Sequence, residues 1–328
     1  MTHALALIDA ANGMISKGLQ FTRNKCLADG KFDAAKMDDH QQTIYSLAVS
    51  ASELQAARVM LEYAESETDF EQRLAESFAA DAIQSVYSRL FPTIVEQGWP
   101  DVLTSFVRAT LTIENLVNLG KEITDRNGNV GNRAFDEEKT LMAATFGHFA
   151  DDVVAPLAEN IHRYNLSIPD RILNGIRELG CFGLSVPQRY NGLLPDGQED
   201  SLGMIVVTEE LSRVSLGGAG SLITRPEIMA RALLEGGTKE QKAYWLPKLA
   251  AGNPLCAIAI TEPDFGSDVA SMCLKATATG DSWILDGAKS WSTFAGKAGV
   301  LLVLARTSQD LSLGHRGLSL FMVEKPSF

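Results

Sequence analysis

Apolar residues recur at helical spacing through the first 125 residues of the chain. Ile44, Leu47, Ala51 and Leu54 are an example, because they lie three or four positions apart and would share one face of a helix. Glycine and proline are sparse in this stretch apart from two clusters, which predict turns. These clusters are Phe91-Pro92 and Gly98-Trp99-Pro100. Residues 1–125 are therefore predicted to form an all-helical domain.

The helical pattern is interrupted once and then resumes. Residues 126–133 hold two glycines and three asparagines, a composition that favours a linker. A second helical domain is predicted for residues 134–254. Near its end, the run from Thr238 to Gln241 fits a capping box, in which the Thr hydroxyl and the Gln side chain satisfy free amides of the first turn.

The period of the pattern changes at residue 255, from helical spacing to short apolar runs. Gly280-Asp281 and Asp286-Gly287 predict tight hairpin turns between these runs. The predicted strands are Trp283–Leu285, Ala288–Ser292, Val300–Ala305 and Leu318–Val323. Residues 255–328 are thus predicted to be the first part of an antiparallel β domain, and we expect the rest of its sheet to lie in a further segment.

Charge and composition exclude several classes of function. The net charge of −12, with no run of Lys or Arg, argues against a nucleic-acid partner. No apolar stretch approaches the roughly 20 residues that span a bilayer, and the N-terminus lacks the pattern of a secretory signal. We expect a cytoplasmic protein without a membrane partner.

The cysteines and histidines show no metal-ligand spacing. Cys26, Cys181, Cys256 and Cys273 are scattered without a CxxC pair, which favours buried, reduced thiols over disulfides. No ligand pattern connects the five histidines either. We expect no metal site.

Several blocks of the sequence agree in order with one enzyme family. Thr261-Glu262-Pro263 and Gly266-Ser267-Asp268 are followed by Gly287 with Lys289, and then by Trp291-Ser292-Thr293. Further blocks are Leu179–Leu184, Thr208–Arg213, Glu240–Lys242, Trp245–Pro247 and Ala305–Thr307. Over residues 135–328 this series resembles the acyl-CoA dehydrogenases. The resemblance implies a multidomain fold, in which a helical domain precedes the β domain.

The N-terminal helical extension is unusual for that family. The stretch Ala48–Tyr63 is similar to a helix of the family's C-terminal bundle, and Phe78–Ile83 is similar to the next one. One hypothesis is that residues 1–125 are a degenerate copy of that bundle, and the alternative is an unrelated helical domain. An extension of this kind resembles the subgroup that acts on 2-methylsuccinyl-CoA.

The resemblance implies FAD as cofactor and assigns residues to its site. The backbone of Ile258, Ala259, Ile260 and Thr261 is expected to run along the pyrimidine side of the flavin. Gly266 and Ser267 are expected at the FAD pyrophosphate or the CoA moiety. Trp291, Ser292 and Thr293 are expected at the isoalloxazine, although Ser292 replaces the usual Ile and Asp264-Phe265 replaces smaller residues. The alternative without a cofactor is that Thr261 caps a strand end and Trp291 belongs to the core.

Two further expectations concern the substrate and the catalytic base. Arg225 is expected to bind the second carboxylate of a dicarboxylyl thioester, the alternative being a salt bridge with Glu227 or a neighbour. In the family the base is a Glu of the C-terminal helical domain, and none of Glu209, Glu210, Glu227 and Glu262 matches its position. No catalytic residue is therefore assigned, and we expect a further polypeptide segment to carry that domain.

The predicted function is that of an FAD-dependent oxidoreductase. It would dehydrogenate an acyl-CoA thioester between Cα and Cβ, preferably a short branched or dicarboxylyl one such as 2-methylsuccinyl-CoA. Electrons would pass to an electron-transfer flavoprotein, and the resemblance implies a homo-oligomer. Two alternatives stay open: an acyl-CoA oxidase-like enzyme and a non-catalytic subunit of a heteromeric complex.

Overall fold

The computed structural model describes residues 2–98 and 105–325 of the chain. It divides the chain into two compact units, Met1–Arg133 (unit 1) and Ala134–Phe328 (unit 2). Each unit has its own buried apolar cluster, as expected for parts that each bury a core.

Unit 1 contains five α-helices in its described part and one small two-stranded β ribbon. The helices are α1 (Thr2–Lys25), α2 (Gln41–Ala64), α3 (Asp69–Gln97), α4 (Ser105–Thr110) and α5 (Ile113–Asp125). The ribbon pairs β1 (Leu27–Ala28) with β2 (Lys31–Phe32), a detail that the all-helical prediction missed. The core forms where α1, α2 and α3 meet, and Ile8, Leu54 and Ile83 are fully buried there.

The predicted turn at Phe91-Pro92 is wrong, because Pro92 lies inside α3. Proline removes one helical hydrogen bond, but Leu90 and Ile94 on either side of it are buried in the core of unit 1. Tertiary packing therefore continues the helix to Gln97. Gly98 ends it in the left-handed conformation with φ 62°, whereas the predicted turn residues Trp99 and Pro100 lie outside the described residues.

The predicted linker, residues 126–133, contains no helix or strand, and its end is held against unit 1. The Tyr63 hydroxyl donates a hydrogen bond to the Asn132 carbonyl at 2.6 Å. Gly131 has φ 141°, and a Cβ there would lie 3.0 Å from the Tyr63 hydroxyl and 3.2 Å from Glu71, so a larger residue would be strained and would displace these side chains. This anchoring distinguishes the segment from a free tether. The relation of residues 1–125 to a C-terminal bundle stays a prediction.

Unit 2 begins with six helices in its described part and continues into a sheet. The helices are α6 (Glu137–Phe149), α7 (Ala155–Arg163), α8 (Asp170–Glu178), α9 (Ser201–Ser215), α10 (Thr224–Gly236) and α11 (Lys239–Ala250). π-helical turns extend α6 at Ala150–Val154 and α9 at Leu216–Gly220. The predicted capping box is confirmed, since Thr238 and Gln241 exchange both hydrogen bonds at the start of α11.

A buried lysine connects the beginnings of α6 and α9. Lys139 on α6 lies 2.9 Å from the carboxylate of Asp200 and 2.9 Å from that of Glu138. Asp200 also caps α9, because it accepts a hydrogen bond from the Gly203 amide at 2.9 Å. Burial by itself would lower the pKa of Lys139, but its two carboxylate partners outweigh this effect and raise it. The pair fixes two helix ends relative to each other.

The sheet of unit 2 is mixed, whereas the sequence predicted an antiparallel one. Its strands are β3 (Cys256–Ala259), β4 (Lys275–Thr279), β5 (Ser282–Asp286), β6 (Val300–Arg306) and β7 (Leu318–Glu324). β3 runs parallel to β6 with Cys256 opposite Val300, and β7 runs antiparallel to β6 with Leu302 opposite Met322. Parallel pairing needs a long connection, which the forty residues between β3 and β6 supply. Periodicity does not reveal such a pairing.

Only one of the two predicted hairpin turns exists. β4 and β5 pair antiparallel around Gly280-Asp281, as predicted. β5 ends at Asp286, and residues 288–292 form no strand. Gly287 has φ 142°, and a Cβ there would approach the Leu274 backbone to 2.9 Å. A glycine is therefore required at position 287 for close packing against Leu274 and not for a hairpin turn.

The cysteines differ in burial. All four are free, and three are buried while Cys273 is exposed, so the prediction of four buried thiols was wrong for Cys273. Burial raises the pKa of Cys181 and of Cys256 to about 12, which keeps both thiols protonated at neutral pH. Within the described ranges, no helix is both long and apolar enough to cross a membrane.

Candidate functional site

β3 leads directly into the first predicted cofactor segment. Ile258 and Ala259 belong to the strand, and Ile260 and Thr261 follow it. One edge of β3 pairs with β6, and no other described strand pairs with its opposite edge. Backbone groups on that edge have no ladder partner, so they can form hydrogen bonds with the polar rim of a ligand.

The second predicted cofactor segment lies against the first. The Ser290 amide donates a hydrogen bond to the Thr261 carbonyl at 2.8 Å. The ammonium of Lys289 donates to the Ile260 carbonyl at 2.7 Å. Two blocks that are about thirty residues apart in sequence are thus adjacent in space. Thr261 lies two residues beyond the end of β3, so it does not cap the strand.

Trp291 projects from this junction into solvent. Its side chain is 89% exposed, and its backbone adopts φ 59°. The alternative that Trp291 belongs to the core is therefore wrong. A bulky residue rarely adopts a positive φ, and such strain concentrates at functional sites. Ser292, the next residue, has a buried hydroxyl with no hydrogen-bond partner among the residues that the structure describes, and Thr293 is exposed.

Glu262 is buried at the junction and holds three partners. Its carboxylate accepts hydrogen bonds from the amides of Cys273 at 2.6 Å and Leu274 at 2.8 Å, and from Lys289 at 2.9 Å. Burial by itself would raise the pKa of Glu262. The two amides and the ammonium outweigh burial, so the pKa lies below its ordinary value. A carboxylate engaged in this way is structural, as the sequence predicted.

Gly266 and Ser267 are exposed in the loop that connects β3 to β4. The loop continues into a short 3₁₀ turn, Val269–Ser271, which is held by the buried Arg306 of β6. Arg306 donates to the Met272 carbonyl at 2.9 Å and also to that of Ala270. Sequence reasoning quoted Arg306 only as part of a motif and missed this contact. A buried cation at the end of an apolar strand is the signal that could have indicated it.

Arg225, at the start of α10, has no carboxylate partner within the described residues. It is half-buried, and it donates to the Ser221 carbonyl at 3.0 Å and to the Thr224 hydroxyl. Glu227 instead pairs with Arg231 at 3.2 Å, so the predicted alternative, a salt bridge between Arg225 and Glu227, is wrong. Burial lowers the pKa of Arg225, and α10, which begins beside it, packs against β3.

The four glutamates that were considered as bases all have interaction partners. Glu210 is buried and contacts Arg213 at 3.3 Å, Glu227 pairs with Arg231, and Glu262 pairs with Lys289. Glu209 also has a partner. None of them gains a role as catalytic base from this geometry.

A cleft of about 560 Å³ opens between the end of α10 and the sheet. Its walls combine leucines, from Leu233 on α10 and from Leu304 and Leu320 on the strands, with the polar side chains of Gln241 and Ser319. Val269, two residues after Ser267, and His315 also line it. Clefts of this size and character are typical of small-molecule sites.

Unit 2 thus places a helical region before a mixed sheet, and the loop that carries Gly266 and Ser267 connects β3 to β4. Two family models match the chain: the acyl-CoA dehydrogenase N-terminal domain over residues 136–253 and the middle domain over residues 257–327. The chain belongs to the acyl-CoA dehydrogenase family. The predicted fold class, a helical domain followed by a β domain, is thereby confirmed, although the sheet is mixed and not antiparallel.

Relatives of known activity differ in how much of the chain they match. (2S)-Methylsuccinyl-CoA dehydrogenase of Cereibacter sphaeroides is 33% identical over 92% of this chain and 58% of its own length. Glutaryl-CoA dehydrogenase of Desulfococcus multivorans is 33% identical over 58% of this chain and 48% of its own length. The chain thus spans about half the length of these relatives. The first match is longer than unit 2, so it includes part of unit 1.

Solved structures show the same fold. A glutaryl-CoA dehydrogenase in complex with glutaryl-CoA is 31% identical, with a TM-score of 0.53 over 59% of this chain and 48% of its own. A glutaryl-CoA dehydrogenase from Mycobacterium smegmatis in complex with FADH2 is 29% identical, with a TM-score of 0.51 over 58% of this chain and 46% of its own.

Proposed function

We propose that this chain carries the flavin-binding part of an FAD-dependent acyl-CoA dehydrogenase. The observation that carries this proposal is the junction of the open β3 edge with the exposed indole of Trp291. FAD accepts the hydride that leaves the β-carbon of the thioester. The predicted site residues retain their roles here: Ile258, Ala259, Ile260, Thr261, Gly266, Ser267, Trp291, Ser292 and Thr293 bind FAD.

The junction suits a flat, polar-edged ring system. The β3 edge offers backbone donors and acceptors to one edge of a flavin, and Trp291 offers an apolar face. The unpartnered Ser292 hydroxyl is an additional hydrogen-bonding group beside them. Buried polar atoms are normally paired, so an orphaned one at this position fits a site that is completed by a ligand.

The cleft beside α10 suits the CoA part of the substrate. It begins near Val269, which follows Ser267 in the signature loop. A pantetheine chain is long and alternates short apolar segments with two amides, and the leucines of α10, β6 and β7 would cover its apolar segments. Ser267 would bind at the mouth of this cleft, where FAD and CoA approach each other.

Arg225 is the residue that favours a dicarboxylyl substrate. A half-buried guanidinium without a carboxylate partner among the described residues is unfavourable, because its charge is partly desolvated. The free carboxylate of a methylsuccinyl or glutaryl thioester would pair with it bidentately. The match to a (2S)-methylsuccinyl-CoA dehydrogenase, which includes part of unit 1, supports the same substrate class.

The Arg225 assignment is tested by comparing two substrates. A charged hydrogen bond contributes about 1.5–3 kcal/mol, so Arg225→Leu is expected to raise KM for 2-methylsuccinyl-CoA about 10- to 150-fold. KM for butyryl-CoA, which lacks the second carboxylate, should change little. Arg231→Leu, which removes an exposed arginine of the same helix, is the control. Equal effects of Arg225→Leu on both substrates would remove the carboxylate role.

The first experiment is an anaerobic titration of the oxidised flavoprotein with 2-methylsuccinyl-CoA. Loss of the oxidised flavin absorbance would support FAD binding, a working base and this substrate together. A spectrum that stays oxidised, but bleaches with butyryl-CoA, would overturn the substrate alone. A protein that takes up no FAD would overturn the proposed function.

The remaining expectations concern partners. Electrons would pass to an electron-transfer flavoprotein, and one structural neighbour comes from a study of such a protein from Acidaminococcus fermentans. A homo-oligomer, a cytoplasmic location and a base on a further polypeptide segment stay predictions. Rapid reaction of the reduced flavoprotein with oxygen would instead favour the oxidase-like alternative.

A further inference from the structure

A buried ion pair lies between the two halves of the proposed flavin site. Glu262 belongs to the first half, and Lys289 immediately precedes the second. Their side chains are 5% and 8% exposed, and the ammonium nitrogen lies 2.9 Å from the carboxylate oxygen. In the pair of Lys139 with Asp200 and the pair of Arg213 with Glu210, by contrast, one partner is 29% and 45% exposed, respectively.

The contacts of Lys289 fix its position closely. Its ammonium has three protons, and it has three acceptors: the Ile260 carbonyl at 2.7 Å, the Glu262 carboxylate and the Met272 sulfur at 3.4 Å. The adjacent amide of Ser290 then bonds the Thr261 carbonyl. Consecutive residues of one segment are thus docked on consecutive carbonyls of the other.

A contribution to the stability of the fold is a weak explanation for a buried ion pair. Removing two charges from water is costly, and apolar replacements of a buried pair are often equally stable or more stable. The geometry better supports a role of this pair in positioning the residues of the proposed flavin site. Trp291 follows only two residues after Lys289, and it holds a positive φ at 89% exposure, so its direction depends on how Lys289 and Ser290 are anchored.

We propose that Lys289 and Glu262 form a charge-neutral clasp that positions both halves of the flavin site and keeps net charge away from the flavin edge. The proposal rests on the proposed function, since it presupposes that FAD binds at this junction. Lys289 is a positioning residue in this assignment, because it acts through the Ile260 carbonyl and through Trp291.

The clasp has an electrostatic consequence that a purely structural role lacks. Reduction adds negative charge to a flavin, so a cation nearby favours the reduced form and an anion favours the oxidised form. Glu262→Gln would leave the ammonium of Lys289 uncompensated and raise the reduction potential of bound FAD. Lys289→Met would leave the carboxylate uncompensated and lower it.

The experiment measures FAD affinity and reduction potential on four proteins. These are the wild-type chain, Glu262→Gln, Lys289→Met and the double variant that combines both. Each single change is expected to move the potential by at least about 30 mV, in opposite directions, which corresponds to tenfold in the ratio of affinities for the two redox forms. The double variant is again uncharged at the clasp and retains an oxygen for the Cys273 or Leu274 amide. Its potential should return close to that of the wild-type chain.

Affinity should behave differently from potential. Both proteins that lack Lys289 lose the bond to the Ile260 carbonyl, so both should bind FAD more weakly by about tenfold, as for the loss of one hydrogen bond to a charged group. Lys139→Met is the matched control, because Lys139 is the other buried lysine of unit 2 with a carboxylate partner. It should lower stability without changing FAD affinity or potential.

The possible results separate the clasp from the function on which it rests. A wild-type chain that binds no FAD would overturn both. FAD binding by the wild-type chain, with potentials of the single variants equal or shifted in the same direction, would overturn the clasp alone. If one single variant fails to fold, the other single variant still decides the matter, because its potential must shift in the direction given above while the potential of the double variant stays close to that of the wild-type chain.

Discussion

Replacing Trp291 by alanine is expected to weaken FAD binding strongly and to leave the fold unchanged. Trp291 is 89% exposed, so removing its indole eliminates almost no packing contacts within the chain. The free energy of unfolding should therefore change by no more than about 0.5 kcal/mol. Complete burial of an indole removes about 150–250 Å² from water, and stacking on one face removes about half of that area. At about 25 cal/mol per Å², the contact contributes about 2–3 kcal/mol, which is about 30- to 150-fold in Kd.

The assay is a titration of apoprotein with FAD, followed by flavin fluorescence, together with thermal melts in the absence of FAD. Trp283→Ala is the matched control. Trp283 lies on β5, is about half exposed and packs edge-on against Phe321 with ring centroids 5.4 Å apart. Its removal should lower Tm, because an aromatic contact within the sheet is lost, while FAD affinity stays unchanged.

The opposite pattern would refute the reasoning. If Trp291→Ala lowers Tm as much as Trp283→Ala does and leaves the Kd for FAD unchanged, Trp291 has a structural role and the flavin does not lie against it. A loss of both stability and affinity would show that the indole packs against the chain in solution.

Three further predictions concern the framework of the site. The pKa of Glu262 is lowered in the folded chain, so its stabilisation is complete above the ordinary value of 4.5 and is lost as pH falls through the lowered value. Glu262→Gln should therefore flatten the acid side of a plot of Tm against pH, and an unchanged acid side would contradict this account. Asp200→Ala removes the cap of α9 and the partner of the buried Lys139, which should lower stability in urea by about 2–4 kcal/mol. Asp200→Asn keeps an oxygen for the Gly203 amide and should lose less; equal losses would contradict the capping role. Thr238→Ala should lower stability by about 1 kcal/mol through loss of the capping box, whereas the exposed neighbour Lys239→Ala should have little effect.

Local patterns predicted those parts of the fold that depend on neighbouring residues. Helical spacing and sparse glycine indicated the helices of unit 1, a second helical region was predicted in unit 2, and Thr238 with Gln241 marked the start of α11 correctly. Gly280-Asp281 marked a real turn for the same reason, because turn chemistry is read over a few residues. The break in α3 predicted at Pro92 did not occur, since burial of residues around it outweighs one lost hydrogen bond.

Some features of the candidate site could be predicted from the sequence, and others depend on the tertiary structure. Its sequence blocks were visible in order along the chain, which was enough to assign the family and the residues expected at FAD. The sequence did not reveal that Lys289 bonds the Ile260 carbonyl and pairs with Glu262, or that Arg306 holds the loop after Ser267. These contacts join residues 27 to 34 positions apart, and no periodicity connects them.

The sequence by itself determined the order of the helical and β domains, the family and the cofactor chemistry that this family implies, because each is encoded in local spacing and in motifs of a few residues. Only the tertiary structure decided that β3 runs parallel to β6, that Trp291 faces solvent instead of the core, and that Arg225 lacks a carboxylate partner in the described chain. The physical reason is that strand direction, side-chain exposure and charge compensation depend on residues that are distant in sequence and come together only in the folded chain. The identity of a single side chain does not determine them.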